Sequence, residues 1–184
     1  MKAKSSQHHT TIGIDLGDKK HAVCVLDKRG DILREFSIAN ESKALAQLAA
    51  DYPKARVGME TGTHSPWISR LLQSAGLEVI VANARKLRAI YTSERKSDVN
   101  DARTLARIAR LDPQLLHPVS HRSEGAQRDL LLIKLRDSLV RQRVAVINSV
   151  RASLKSLGVK LPLKNSAASL QRARQQLAQS QAEL

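Results

Sequence analysis

The sequence predicts an α/β fold, a mixed sheet with helices packed on it, continued by a long helical extension. Two patterns predict the sheet. Three short apolar runs come first, at about 11–16, 21–27 and 31–38, and the turn Lys28–Asp31 (KRGD) joins the last two as a hairpin. Helix and strand patterns then alternate: a helix near 41–51, a strand near 55–60, a helix near 64–75, a strand near 77–82 and a helix opening at about Asn83. A third pattern predicts the extension. After Pro113 and Pro118, the stretch Glu124–Leu157 holds no Pro and, apart from Gly125, no Gly, while Ile133, Val140, Ile147 and Leu154 recur every seven residues. The expected organisation is an α/β domain over 1–120 and a helical, coiled-coil region over 121–184.

Each element has its own reason. The run TIGIDLG ends at Asp15, and Gly17 then lets backbone or ligand come close. The run ARVGMETG ends at Glu60, again next to a glycine. KSDVNDARTLARIAR reads as a helix from its Ala and Leu content and from apolar residues at Val99, Ala102, Leu105, Ala106 and Ala109. In the long helix, Leu132, Leu139, Val146 and Val150 widen the seven-residue stripe, and Arg136, Arg141, Arg143 and Arg151 flank or interrupt it. That stripe can pack on the first domain or on another chain. Self-association is the favoured expectation, because 34 residues of helix extend well past a small domain. Gly158 stops this helix, Pro162 keeps it broken, and Ser166–Leu184 reads as a weaker Gln- and Ala-rich helix.

The chemistry concentrates in four carboxylates. Asp98 and Asp101, three apart on a helix, share one face about 5–6 Å apart. Two clustered anions repel, and a bound divalent cation such as magnesium or manganese makes them tolerable. Asp15 and Glu60, at the ends of two strands, can meet that pair at one sheet edge. This is the geometry of a two-metal phosphoryl-transfer site, with ions about 3.5–4 Å apart. Taken singly, each acid also has a structural reading: Asp15 as a turn or cap residue, Glu60 as a solvated strand end, Asp98 as the cap of a helix beginning near Val99, and Asp101 as favourable charge in its first turn.

Charge agrees with a nucleic-acid partner. Lys and Arg number 31 against 17 Asp and Glu, a net charge of +14. Residues 121–184 carry 12 basic and 4 acidic residues, net +8, while 1–120 carry 19 and 13, net +6, so the tail is more than twice as positive per residue. Arg85, Lys86, Arg88, Arg95, Lys96, Arg103, Arg107 and Arg110 stand near the acids and can hold phosphates at the metals. Phe36, Tyr52, Trp67 and Tyr91 are the only aromatics, too few for a base-stacking platform, so backbone and shape recognition is expected. The single cysteine, Cys24 in the apolar run HAVCVLD, reads as a small buried hydrophobe and excludes disulfide and thiolate-cluster frameworks, which suits a cytoplasmic setting. No apolar run approaches the length of a membrane span. His8 and His9 read as a polar terminus. His21 and His64, near the acids, either touch phosphate or serve packing.

The segments IGIDLGDKKHAV, VGMETGTHSPW, VIVANARKLRAIYTSERKSDVNDARTLARIA and LRDSLVRQRVAVINSVRASLKSLG resemble the N-terminal half of the DEDD transposases of the IS one-ten insertion-sequence family. The resemblance runs from about Thr10 to Gly158, and its most specific element is Lys96, Ser97, Asp98 and Asp101. It implies a RuvC-like, ribonuclease H-type domain in which Asp15, Glu60, Asp98 and Asp101 bind Mg2+ or Mn2+, acting on DNA under the guidance of a structured RNA. It also implies a further C-terminal domain with a nucleophilic serine, a role that Ser166 and Ser169 do not fill, and a helical region that joins protomers. Three rivals share part of the pattern. A stand-alone junction-resolving endonuclease has the same acids and fold, an actin or sugar-kinase type ATPase has a phosphate loop like IGIDLG, and a binding module would use the acids structurally.

Overall fold

A computed structural model describes residues 10–86, 97–156 and 158, together with 171, 172, 174, 175, 178 and 179. Five strands form one sheet: β1 Thr11–Asp15, β2 Lys20–Leu26, β3 Ile32–Ala39, β4 Arg56–Glu60 and β5 Glu78–Ala82. Their order across the sheet is β3-β2-β1-β4-β5. Strands β1 to β3 form an antiparallel meander, and β1, β4 and β5 run parallel. Helices α1 (Ser42–Asp51) and α2 (Ser65–Ser74) provide the crossovers, and α3 (Asp98–Leu111) follows. This is the ribonuclease H-like arrangement the sequence led us to expect, with most element ends within a residue of the predicted ones.

Side-chain alternation sorts the sheet into two faces. Ile12, Ile14, Val23, Val25, Val57, Met59 and Val81 join Leu45 and Leu48 of α1 and Ile68 and Leu72 of α2 in one core. The opposite face carries Ala22, Cys24 and Leu26, packed with Ala102 and Ala106 of α3, and Ile80 and Ala82, packed with Leu105 and Ala109. Covered on both faces, β1 and β2 read as continuous apolar runs.

Helix α3 lies unusually close to the sheet. A methyl group built on Gly13 would strike the Ala102 carbonyl oxygen and lie 2.5 Å from the Ala106 nitrogen; one on Gly58 would lie 2.9 Å from Ala109 Cβ and 3.1 Å from the Leu105 oxygen. The alanines on the helix complete this intimacy. Near its C-terminal end Arg110 rests on the β2–β3 hairpin, donating to the Lys28 carbonyl at 3.3 Å. That hairpin adjoins the start of β1, since Thr11 pairs with Leu26. Helix α3 therefore runs antiparallel to β1 and starts at the carboxyl edge of the sheet.

One local reading is corrected and another is resolved. The cap of α3 is Ser97, whose hydroxyl accepts from the Asn100 N–H at 3.3 Å, so Asp98 is the first helical residue and not the cap. Of the two partners expected at Gly17, backbone or ligand, it is backbone that comes close: a methyl there would meet the Lys20 carbonyl. In the hairpin, the Asp27 carboxylate accepts from the N–H groups of Arg29 (2.8 Å), Gly30 (2.8 Å) and Asp31 (2.9 Å), and Gly30 takes φ 98°. Residues Pro113–Leu116 form a 3-10 turn with Leu116 buried, and Val119 beside β5 donates to the Val81 carbonyl at 2.9 Å.

The chain divides into two units, Met1–Arg122 and Ser123–Leu184. The second contains α4, Glu124–Ser156, 33 residues or about 50 Å long. No residue of α4 is buried, and Ile133, Leu139 and Val146 are 63–66% exposed. Gly158 beyond it takes φ 74°, and the described residues among 171–179 are helical. Among the described residues no helix is long and apolar enough to cross a membrane.

Candidate metal and phosphoryl-transfer site

Asp15 is the last residue of β1 and Glu60 the last of β4. The two strands are parallel neighbours with Ile14 opposite Met59, so the next rung brings the two acids side by side, about 4.8 Å apart in backbone. Both have the parity of Gly13 and Gly58, the positions pressed against α3, and so both belong to the α3 face. Both are half-buried.

Asp98 and Asp101 occupy the first turn of α3, where the helix dipole favours negative charge. Ala102 lies over Gly13. From there, two residues up β1 to Asp15 and four residues back along α3 to Asp98 each cover about 6 Å. The two pairs of acids therefore stand level, at the carboxyl edge and on one face. Their side chains do not meet at a point, and among the described residues no group of three or more His, Cys, Asp or Glu is close enough to hold a metal ion. The donor set, all carboxylate oxygen, is nonetheless one that suits a hard divalent cation.

The histidines divide. His21 is wholly buried, with Nε2 3.1 Å from Asn40 Oδ1, and burial lowers its pKa. It is out of reach of a phosphate and belongs to packing. His64 sits just before α2, with Nε2 3.0 Å from Asp18 Oδ1 while Trp67 Nε1 donates to its Nδ1 at 3.5 Å. It ties the loop after β4 to the loop after β1, the two loops that follow Glu60 and Asp15.

Basic residues expected to hold phosphate also divide. Arg85 and Lys86 are exposed beyond β5, their N–H groups donating to Asn83 Oδ1 at 3.2 and 3.3 Å. Thr61, Asn83, Ala84, Arg85 and Val119 line an open cavity of about 480 Å3 there, next in sequence to Glu60. Arg88, Arg95 and Lys96 lie outside the described residues. Arg136, Arg141 and Arg143 are exposed and Arg151 half-exposed on α4, in the second unit, with Arg141 bridged to Asp137 at 2.6 Å. Arg103 does not reach toward the acids: it clasps Glu35 of β3 through two hydrogen bonds. Sequence reasoning missed this pairing, because β3 and α3 meet only in the tertiary fold.

Residues 12–158 match the model of the transposase family DEDD_Tnp_IS110. The chain belongs to the IS110 family of transposases. It is 30% identical over 155 residues to the transposase for insertion sequence element IS1328 of Yersinia enterocolitica, covering 83% of this chain and 44% of that protein. It is 27% identical over 147 residues to the insertion element IS116 uncharacterized 44.8 kDa protein of Streptomyces clavuligerus, covering 76% and 37%. The chain thus spans less than half the length of these curated relatives. Among solved structures, Thermus thermophilus RuvC in complex with Holliday junction substrate aligns with TM-score 0.40 and 12% identity, over 54% of this chain and 90% of that one.

Proposed function

We propose that Asp15, Glu60, Asp98 and Asp101 hold one or two Mg2+ or Mn2+ ions at the carboxyl edge of the sheet, in the catalytic part of a DNA cleavage and strand-transfer enzyme. The observation that carries this is the level alignment of β1, β4 and the first turn of α3 on one face. Four carboxylates from three elements, brought to one edge and one face, are the hard oxygen donors that a divalent cation of this kind takes. When bound, the metal would polarise the scissile phosphate and stabilise the leaving oxygen. The carboxylates fix its position, and Ser97 and the glycine-seated helix fix theirs. Residues 1–120 are the catalytic domain on this reading, and 121–184 serve oligomerisation and nucleic-acid binding.

DNA is the substrate, and a structured RNA is the guide. Support comes from the charge of +14 and from the exposed Arg85, Lys86, Arg136, Arg141 and Arg143, joined by half-exposed Arg151 and, in sequence, by Arg88, Arg95 and Lys96. The exposed stripe of α4 supports a homo-oligomer formed through residues 124–157, since an apolar surface of this extent marks an interface. The test is calorimetric titration of Mg2+ and Mn2+ into the wild type and into Asp98→Asn plus Asp101→Asn, with and without duplex RNA. Metal binding lost in the double variant while RNA binding persists is the expected result. Equal metal binding by both proteins refutes the site.

A further inference from the structure

The arginines of α3 that turn away from the acids have their own arrangement. Arg103, Arg107 and Arg110 follow one another at four and three residues, and so share one flank of the helix, the flank facing β3 and the β2–β3 hairpin. Arg103 is committed to Glu35. Arg110 lies flat against the hairpin tip: a methyl on Gly30 would sit 2.8 Å from its Nε and 2.9 Å from its Cζ, and its NH1 donates to Lys28. Glycine at φ 98° is thus what lets the guanidinium settle there. The contact brings exposed Lys28 and Arg29 next to Arg110, beside exposed Arg107. Three carboxylates share the area. Glu35 is taken by Arg103, Asp27 is folded into the turn backbone, and Asp31 is exposed, against five cations in all.

From this we propose that Lys28, Arg29 and Arg107, seated by Arg110, form a contact surface for the phosphodiester backbone of a duplex, separate from the acids and from Arg85 and Lys86. The inference rests on the proposed function, since it takes a duplex to be the substrate of the acid edge. Distance supplies the link. Asp101 to Arg107 is six residues of helix and to Arg110 nine, about 9–14 Å along the axis. The major groove of B-form DNA is about 12 Å wide. A DNA duplex with one backbone at the acids lays its other backbone, across that groove, on this surface.

The test is fluorescence anisotropy of the full chain with labelled DNA and RNA duplexes of one arbitrary sequence, titrated at several salt concentrations. The triple variant Lys28→Ala, Arg29→Ala, Arg107→Ala loses three contacts. The slope of log affinity against log salt should fall by about 0.9 for each, and affinity at 0.1 M salt should drop on the order of 10²-fold. The charge-keeping triple Lys28→Arg, Arg29→Lys, Arg107→Lys should bind as the wild type does, and whichever duplex suffers in the alanine variant names the source of the phosphates. An unchanged slope and affinity in the alanine variant overturns the surface, while metal titration unaltered by the same changes leaves the acid site standing. A wild type that binds neither duplex overturns both the surface and the nucleic-acid part of the proposed function.

Discussion

Replacing Gly13 by alanine should unseat helix α3. The added methyl collides with the Ala102 carbonyl oxygen and lies 2.5 Å from the Ala106 nitrogen, where ordinary contact begins at 3.4 Å. Relief requires the helix to move away by about 1 Å, because the obstructing atoms are helix backbone and cannot rotate aside. Overpacking of this kind costs roughly 1–3 kcal/mol, and the rigid neighbour puts it at the top of that range. For a chain of 184 residues, about 3 kcal/mol corresponds to a fall in Tm of about 6–12 °C. Thermal unfolding followed by far-UV circular dichroism measures it. Gly58→Ala should lose about half as much, since it meets the Ala109 methyl at 2.9 Å and one carbonyl at 3.1 Å. Gly62→Ala, with nothing within 4 Å, should melt within about 2 °C of the wild type. If Gly13→Ala melts with Gly62→Ala, α3 does not lie on β1, and the alignment of Asp98 and Asp101 with Asp15 goes with it.

Further outcomes follow from single groups. Burial holds the His21 pKa below its ordinary 6.5, so the unfolded chain binds the proton first; that contribution is complete above pH 6.5 and is lost as pH falls below it. Melting temperature measured from pH 8 to pH 5 should decline, and less so in His21→Leu. Arg103 holds the Glu35 carboxyl below its usual 4.5, so this pair contributes above that value and is lost on further acidification, a loss that Glu35→Gln should abolish when the melting series is carried below pH 4.5. Burial pushes the Cys24 thiol up to about 11, and the native chain at pH 8 should resist alkylation that the denatured chain undergoes readily. Leu139→Glu, changing a residue 66% exposed on α4, should lower the mass seen by light scattering if that face joins chains, and an unchanged mass rules the face out.

Much of the fold was legible because it is written in local periodicity. Alternating apolar residues gave β1 to β5, the turn KRGD gave the hairpin, and the seven-residue recurrence gave α4. The paired spacing of Asp98 and Asp101 was legible for the same reason, since one helix turn sets it. Two glycines, Gly13 and Gly58, each in the middle of an apolar strand, were a further signal that could have been read as notches for a helix.

By itself, then, the sequence determined the elements, the family resemblance and the basic character of the chain, because composition and short-range spacing do not depend on what packs where. Only the tertiary structure decided which rung carries Asp15 beside Glu60, that α3 runs antiparallel to β1 and so delivers Asp98 and Asp101 to the same edge, and that Arg103 is held by Glu35 while Arg107 stays exposed. Those facts depend on strand order and helix direction, which bring together residues as far apart as Glu35 and Arg103. Contacts over such separations are fixed by how two apolar faces close on one sheet, and no local pattern encodes them.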